Sequence, residues 1–129
     1  ASPQYLNEFG RPKTPEDLDD HKLLTYGNTA SSPIDNINWV LDFGATKKRI
    51  PILEINNISG LLQAIKAGVG IGALPDYLVQ GSTNIVRVLE EYEGHEFPAY
   101  FVYTSELRKS KRIAAFRDFI VSEFSKTSF

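Results

Sequence analysis

A glycine-rich stretch is the first segment of this sequence whose residue types and spacing could support chemistry. Gly68-Val69-Gly70-Ile71-Gly72-Ala73 fits the G-x-G-x-x-G/A template of a dinucleotide-binding turn. Glu90 follows about twenty residues downstream, where that fold places the acid that binds ribose. The template also needs a strand before the glycines and a helix after them, because the helix N-terminus holds the pyrophosphate.

The order of elements around these glycines is reversed. Apolar residues between positions 58 and 69 repeat at helical spacing, so a helix precedes the glycines, and an apolar run that favours a strand follows them. We therefore predict a structural turn in which Gly68 ends a helix, while Gly70 and Gly72 permit close packing.

The two histidines are the other candidates for catalysis or metal binding. His21 directly follows Asp19 and Asp20, but adjacent residues do not converge on one ligand without a third partner. His95 lies in a glutamate-rich turn that includes Glu90, which is typical of a solvated acidic loop. The chain has no cysteine and no G-x-S-x-G motif. We predict a structural role for His21, no catalytic residue, no metal site, no cofactor and no enzymatic activity.

Two short basic runs, Lys47 to Arg49 and Arg108 to Arg112, are the candidates for contact with nucleic acid. Neither contains interleaved aromatic residues for base stacking, so we interpret both as solvated charge. The formal net charge of −2 argues against a chain that holds nucleic acid by itself. No apolar run reaches the length of a membrane span and no signal peptide is recognised, so we expect a cytoplasmic protein without a membrane partner.

Helices and strands alternate along the chain, which predicts an α/β fold in one domain. Strands are predicted at 22–26, 37–43, 50–56, 71–74, 85–89 and 97–104. Helical segments are predicted after Ser2 and Thr14, at 58–67 and 76–79, and in an amphipathic helix from 111 to 124. The strands at 50–56 and 71–74, joined by the helix between them, should be parallel.

Four blocks of sequence occur in a fixed order along this chain. They are ASPQYLNEFGRPKTPEDLDDHKLL, AIKAGVGIGALPDYLV, IVRVLEEYE and FPAYFVYTSELRKSKRIAAFRDFI. Together they resemble the C-terminal half of the effector-binding domain of LysR-type transcriptional regulators, and the resemblance covers essentially all 129 residues.

This resemblance implies a fold similar to type 2 periplasmic binding proteins, with two α/β subdomains joined by two crossing strands around a ligand cleft. The chain would be a partial effector-binding domain: the second subdomain at 1–96, the return strand at 97–104 and the C-terminal helix region at 105–129. The winged helix-turn-helix, the linker helix and the first subdomain of the family are missing, so DNA binding would belong to a longer parent. A fragment of a solute-binding protein of a transport system is the alternative, since it shares the fold.

In such clefts, backbone N–H groups at helix N-termini commonly hold an organic anion. The candidate effector-binding residues are Asn56, Asn57 and Ser59, between a strand and a helix, with Gly70 and Ile71 placed on the cleft wall by the resemblance. Capping of the helix is the alternative role of Asn57. Because half the cleft is missing, we expect weak or no effector binding by this chain alone, and self-association through the apolar surfaces of 97–104 and 111–124.

Overall fold

The computed structural model describes residues 1–27, 36–96 and 100–126 of the chain. The chain divides into two compact units, Ala1–His95 and Glu96–Phe129. The first unit holds a small parallel sheet with helices, and the second holds a long helix preceded by a 3-10 helix. This mixed content confirms the predicted α/β class.

The α-helices and strands are numbered here in chain order. In the first unit they are α1 (Pro3–Phe9), β1 (Leu23–Tyr26), β2 (Leu53–Ile55), α2 (Ile58–Lys66), β3 (Ile71–Gly72) and α3 (Asp76–Val79). Two 3-10 helices of this unit span Pro15–Asp20 and Trp39–Leu41. The second unit contains a 3-10 helix at Ser105–Lys109 and α4 (Lys111–Lys126).

The first helical segments follow from their capping residues. The Ser2 hydroxyl accepts a hydrogen bond from the Tyr5 amide at 3.1 Å, Pro3 is the first helical residue, and α1 ends at Gly10. The segment after Thr14 forms a 3-10 helix rather than an α-helix, and its Asp17 carboxylate accepts from the Thr14 amide at 3.0 Å. Both segments are therefore helical where the sequence predicts.

The sheet is parallel, with the strand order β2-β1-β3. Tyr26 of β1 lies opposite Ile55 of β2, and Leu23 lies opposite Ile71 of β3. The predicted parallel orientation of the strands on either side of α2 is confirmed, and β1 lies between them.

Side chains of β1 alternate between two cores, as the two-residue period of a strand requires. Leu23 packs with Tyr5 and Leu18 on one face of the sheet. On the other face Leu24 is fully buried against Leu61 and Ile65. Each such side chain contributes about 2 kcal/mol of hydrophobic stabilisation, so β1 is the strand around which the unit is built.

The glycine-rich stretch is the C-terminus of α2 and the start of β3. The Gly68 amide bonds to the Ile65 carbonyl at 3.0 Å and the Val69 amide to the Ala64 carbonyl at 3.2 Å, a Schellman motif with Gly68 at φ 78°. A Cβ on Gly70 would lie 2.3 Å from the Lys22 carbonyl oxygen. The prediction of a structural turn is confirmed.

The prediction of a strand at 37–43 is wrong. Residues Trp39–Leu41 form a 3-10 helix, and the Phe43 amide bonds to the Trp39 carbonyl at 3.0 Å. The helical turn brings the Trp39 and Phe43 rings together edge to face, with 5.1 Å between their centroids, and buries Val40. Tertiary packing of these apolar residues overrides their preference for strands.

The strand predicted at 85–89 does not form either. Val86 exchanges two backbone hydrogen bonds with Ala1, but Leu89 adopts a positive φ of 57°, so no longer ladder develops. The strands predicted at 50–56 and 71–74 are present as β2 and β3, but each is shorter than predicted.

The predicted strand at 97–104 is only partly within the described residues, since 97–99 lie outside them. Residues 100–104 are not in a strand, and the side chains of Tyr100 and Val102 are exposed. A strand needs a neighbouring ladder for its amides and carbonyls, and the described part of the second unit has no strand to supply one.

The last predicted helix is confirmed as α4, which follows the 3-10 helix of the second unit. The Phe101 and Phe116 rings pack edge to face, with their centroids 5.8 Å apart. Phe116, Phe119 and Phe124 each keep more than half of their surface exposed. None of the helices within 1–27, 36–96 and 100–126 is long and apolar enough to cross a membrane.

Candidate functional site

The three parallel strands end at the same side of the sheet, which we call the carboxyl edge. β1 ends at Tyr26, β2 at Ile55 and β3 at Gly72. Gly27 lets two chain segments approach closely here, because a Cβ on it would lie 3.2 Å from the Asn56 nitrogen. Ligands of open α/β sheets bind outside the carboxyl ends of their strands.

Asn57 joins the carboxyl edge to α2. Its backbone is extended, and its side-chain Oδ1 accepts a hydrogen bond from the Gly60 amide at 2.9 Å. Gly60 allows close packing at this position, since a Cβ there would lie 3.0 Å from the Ile55 side chain. Asn57 is therefore the N-cap of α2, as predicted, and the start of the helix is held against the end of β2.

The other polar groups at the start of α2 face solvent. Asn56 and Ser59 are exposed. The first hydrogen bond along the helix runs from the Leu61 amide to the Asn57 carbonyl at 3.0 Å, so the amides of Ile58 and Ser59 precede the helical ladder. Two side chains, two backbone donors and the positive end of the helix dipole are thus combined at one place.

A small cavity of about 10 Å³ adjoins the carboxyl edge and has room for one water-sized group. Thr25, Asn38 and Ile58 contribute to its lining. Thr25 is 2% exposed, and its Oγ1 is the one buried side-chain polar atom without a hydrogen-bond partner among the described residues. A buried hydroxyl without a partner lowers stability by about 1–3 kcal/mol.

Asn38 completes the sheet at this edge. Its Oδ1 accepts from the Tyr26 amide at 2.9 Å, and its Nδ2 donates to the Tyr26 carbonyl at 2.8 Å. The Asn38 side chain therefore pairs with the backbone of β1 at Tyr26. Strand β3 pairs only with Leu23 and Leu24, so it does not reach this position. The Asn38 amide is already used in its pairing with Tyr26, whereas the Thr25 hydroxyl is not.

Gly70 and Ile71 lie at the opposite side of the sheet, which we call the amino edge. Gly70 precedes β3 and is buried against Lys22, while Ile71 is 3% exposed and its amide bonds to the Lys22 carbonyl at 2.8 Å. From the register, Gly70 and Asn56 are about five residues, or about 16 Å, apart along the strand direction. The structure therefore brings Asn56, Asn57 and Ser59 together but separates them from Gly70 and Ile71.

The polar groups of the amino edge are bonded to one another. The Lys22 amide donates to the Tyr5 hydroxyl at 2.9 Å, so this hydroxyl is free to donate to His21 Nδ1 at 3.1 Å. Burial lowers the pKa of His21, against the opposing effect of Asp17 and Asp20. Burial also raises the pKa of Tyr5. His21 is thus a structural histidine, as predicted.

The residues proposed by the nucleotide template do not form a nucleotide site. Glu90 binds Arg11 at 2.6 Å, and a Cβ on Gly72 would lie 2.8 Å from the Ile65 side chain. Within the described residues, no group of three or more His, Asp or Glu side chains is arranged to hold a metal ion.

Sequence reasoning missed Thr25 and Asn38. Thr25 is a hydroxyl-bearing residue among the buried positions of β1 and falls near its carboxyl end, which is a usable signal. Asn38 lies within the stretch 37–43, which the sequence indicates as a strand, so its pairing with Tyr26 was not predictable from that pattern. Neither residue belongs to a recognisable motif.

Comparison with known proteins gives a consistent result. The family model described as the LysR substrate binding domain matches residues 1–125. Over 109 residues the chain is 32% identical to an uncharacterized HTH-type transcriptional regulator of Haemophilus influenzae. This match covers 80% of this chain and 36% of that protein.

Two further relatives carry functional names. The chain is 30% identical over 128 residues to the HTH-type transcriptional regulator CrgA of Neisseria meningitidis serogroup C, covering 95% of this chain and 42% of that protein. It is 27% identical over 111 residues to the HTH-type transcriptional activator AaeR of Escherichia coli, covering 82% of this chain and 35% of that protein. The chain thus spans well under half the length of these relatives, which are named as regulators. On this evidence the chain belongs to the LysR-type transcriptional regulators, as a part of their substrate-binding domain.

Proposed function

We propose that this chain is the effector-sensing portion of a LysR-type transcriptional regulator and that it is not an enzyme. In the full-length protein the carboxyl edge binds a small organic anion, with Asn56, Asn57 and Ser59 as the contacting residues. The regulator acts in the cytoplasm and contacts DNA through a helix-turn-helix domain outside this chain.

The start of α2 is the observation that carries this proposal. The Asn57 cap fixes one end of a nine-residue helix at the edge where three parallel strands end. Exposed Asn56 and Ser59 add side-chain hydrogen-bonding groups, and the unbonded first-turn amides favour negative charge. A carboxylate matches these donors in both charge and size.

Gly70 and Ile71 as effector contacts stay a prediction. Packing explains why residue 70 is glycine, because the Lys22 carbonyl occupies the space of a side chain. Both residues are buried at the amino edge, so any contact with an effector would need another surface of the domain.

The complete ligand cleft is proposed to require a second α/β subdomain, as in type 2 periplasmic binding proteins. In the full-length protein residues 1–96 then form one wall, 97–104 become the return strand once the other subdomain supplies a neighbouring strand, and 105–129 form the C-terminal helix region. This explains why the cavity at the carboxyl edge, about 10 Å³, is too small for an organic acid. The isolated chain is therefore expected to bind effector weakly or not at all.

Regulation requires that the effector bind two states of the protein with different affinity. An anion at the start of α2 that also contacts the other wall of the cleft favours the closed state. The closure then alters the arrangement of the DNA-bound oligomer. A transport solute-binding protein would use the same closure, but the relatives reported above are regulators.

Self-association is also part of this proposal. The apolar side chains of Phe116, Phe119 and Val121 on α4 are more than half exposed, as is Tyr100. Burial of these groups between copies would remove apolar surface from water. Light scattering of the concentrated chain checks this, and a monomer at all concentrations would contradict it.

The effector site is tested on the full-length protein by thermal-shift screening against a panel of small mono- and dicarboxylates. For a carboxylate that binds, hydrogen exchange should show slower exchange of the Ile58 and Ser59 amides. The first turn of α1, capped by Ser2, is the matched control and should not change. Protection elsewhere in the protein, with none at the start of α2, would contradict the proposed site.

A further inference from the structure

The two basic runs of the chain have different structural roles. In the first run, Arg49 is 7% exposed and its guanidinium donates to Asp19 Oδ1 at 2.6 Å and to the Val40 and Phe43 carbonyls. Lys47 binds Asp20 at 2.8 Å. Two of the three cations of this run, Lys47 and Arg49, are therefore bonded within the first unit.

The surroundings of Asp19 confirm the internal role of the first run. Hydrogen bonds from Thr46, together with the Arg49 guanidinium, lower the pKa of Asp19 to about 2. Arg49 also donates to the Pro15 carbonyl at 2.7 Å. A guanidinium satisfied by one carboxylate and three carbonyls links separate loops and is not available to a partner.

The second run, which we call the basic segment, has no such contacts. All four of its cations are exposed, and none makes an ion pair within the described residues: Arg108, Lys109, Lys111 and Arg112. The other cations of α4 are paired, Arg117 with Asp118 and Lys126 with Glu123, both at 2.6 Å. The unpaired positive charge of the second unit is thus concentrated in five consecutive positions.

The position of the basic segment increases its attraction for anions. It covers the end of the 3-10 helix Ser105–Lys109 and the first residues of α4. No acidic residue lies in the first turn of α4, where the helix dipole favours acids over cations. Residues 96–129 carry six basic and four acidic side chains, whereas residues 1–95 carry eight basic and twelve acidic ones.

We infer that the basic segment binds the phosphate backbone of double-stranded DNA and adds sequence-independent affinity to the regulator. The inference rests on the proposed function, because the DNA must be held close to this segment by a domain outside the chain. The five residues span at most about 15 Å, which allows contact with about two phosphates. The net charge of −2 is consistent with a supporting contact rather than an independent DNA-binding site.

The test uses the full-length protein and a DNA duplex of random sequence, with fluorescence anisotropy measured at several salt concentrations. The variant R108Q/K109Q/K111Q/R112Q should bind about tenfold more weakly at physiological salt. The slope of log affinity against log salt should fall in magnitude by about 2, corresponding to two lost phosphate contacts.

A matched control removes the same amount of charge elsewhere in the chain. The variant K13Q/K48Q/K66Q/R87Q changes four cations of the first unit, none of which makes an ion pair within the described residues. It should keep wild-type affinity within twofold. Equal losses in both variants, or no loss in either, would overturn the inference.

Two further measurements keep the result interpretable. The pair variants R108Q/K109Q and K111Q/R112Q should each lose part of the affinity, and they provide the test if the fourfold variant does not fold. Carboxylate binding, measured by thermal shift on the same variants, should be unchanged. Loss of DNA affinity without any carboxylate binding would support the basic segment and contradict the proposed effector site.

Discussion

The two edges of the parallel sheet differ in how their polar groups are satisfied. At the amino edge, the Lys22 carbonyl accepts from Ile71, and the Tyr5 hydroxyl connects the Lys22 amide with His21. At the carboxyl edge, the buried hydroxyl of Thr25 has no hydrogen-bond partner among the described residues. The polar groups of the amino edge are thus bonded to one another, whereas the carboxyl edge, where we propose the effector site, has a buried hydroxyl without such a bond.

The largest effect on stability is expected for Gly70→Ala. The new Cβ would lie 2.3 Å from the Lys22 carbonyl oxygen, a backbone atom that cannot move without disturbing β1. We expect the free energy of unfolding to fall by about 3 kcal/mol, measured by urea denaturation. Gly10→Ala is the control, because its Cβ would meet no atom and tests only the cost of a positive φ. A loss no larger than that of the control would contradict close packing at the amino edge.

A smaller effect of opposite sign is expected for Thr25→Val. The substitution keeps the side-chain shape and removes a buried hydroxyl that has no hydrogen-bond partner within 1–27, 36–96 and 100–126. The free energy of unfolding should stay constant or rise by about 1 kcal/mol. A loss of more than about 1 kcal/mol would show that the hydroxyl is already satisfied, and would remove the contrast between the two edges.

The pH dependence of stability tests the bonded network of the amino edge. Burial lowers the pKa of His21 from its usual 6.5, so the unfolded chain binds a proton more readily than the folded one. This contribution to stability is present above pH 6.5 and is lost as the pH falls below it. His21→Asn should flatten thermal stability between pH 7 and pH 5, roughly the range in which a free histidine titrates.

His95→Asn provides the comparison for this measurement, since it removes the other histidine of the chain. The network predicts a change in pH dependence for the His21 variant beyond that of the His95 variant. Equal pH profiles of the two variants would contradict the assignment of the effect to His21.

Local rules predicted the parts of this fold in which a few neighbouring residues decide the structure. The Asn57 cap, the Gly68 terminus and the helical period of α2 are all visible in the sequence. The start of α1 at Ser2-Pro3 follows from the same capping preferences. These features depend on contacts within about six residues, so a single sequence contains them.

Strand predictions failed where distant contacts decide. Residues 37–43 have the composition of a strand, but they form a helical turn in which Phe43 packs on Tyr92 and Asn38 pairs with Tyr26. Residues 100–104 have strong strand propensity but no neighbouring strand in the described part of their unit. Strand propensity alone does not form a strand when no second strand is there to pair with it.

The strand-to-helix junction that carries the proposed site was predictable for the same reason that α2 was, whereas effector contact there stays a prediction. Asn56, Asn57 and Ser59 follow one another at a strand-to-helix junction, and the structure keeps them together. Thr25 and Asn38 reach the same edge from other parts of the chain, Thr25 through the register of β1 and Asn38 through its side-chain bonds to Tyr26. Gly70 and Ile71 are close to the site in sequence order but lie at the opposite edge.

The most direct test of the effector site is the substitution Asn57→Asp in the full-length protein. An aspartate caps a helix about as well as an asparagine, so the melting temperature should stay within about two degrees of the wild type. The added negative charge should reduce the affinity for the identified carboxylate by about tenfold or more, measured by calorimetry. Unchanged carboxylate affinity at unchanged stability would contradict an anion site at the start of α2.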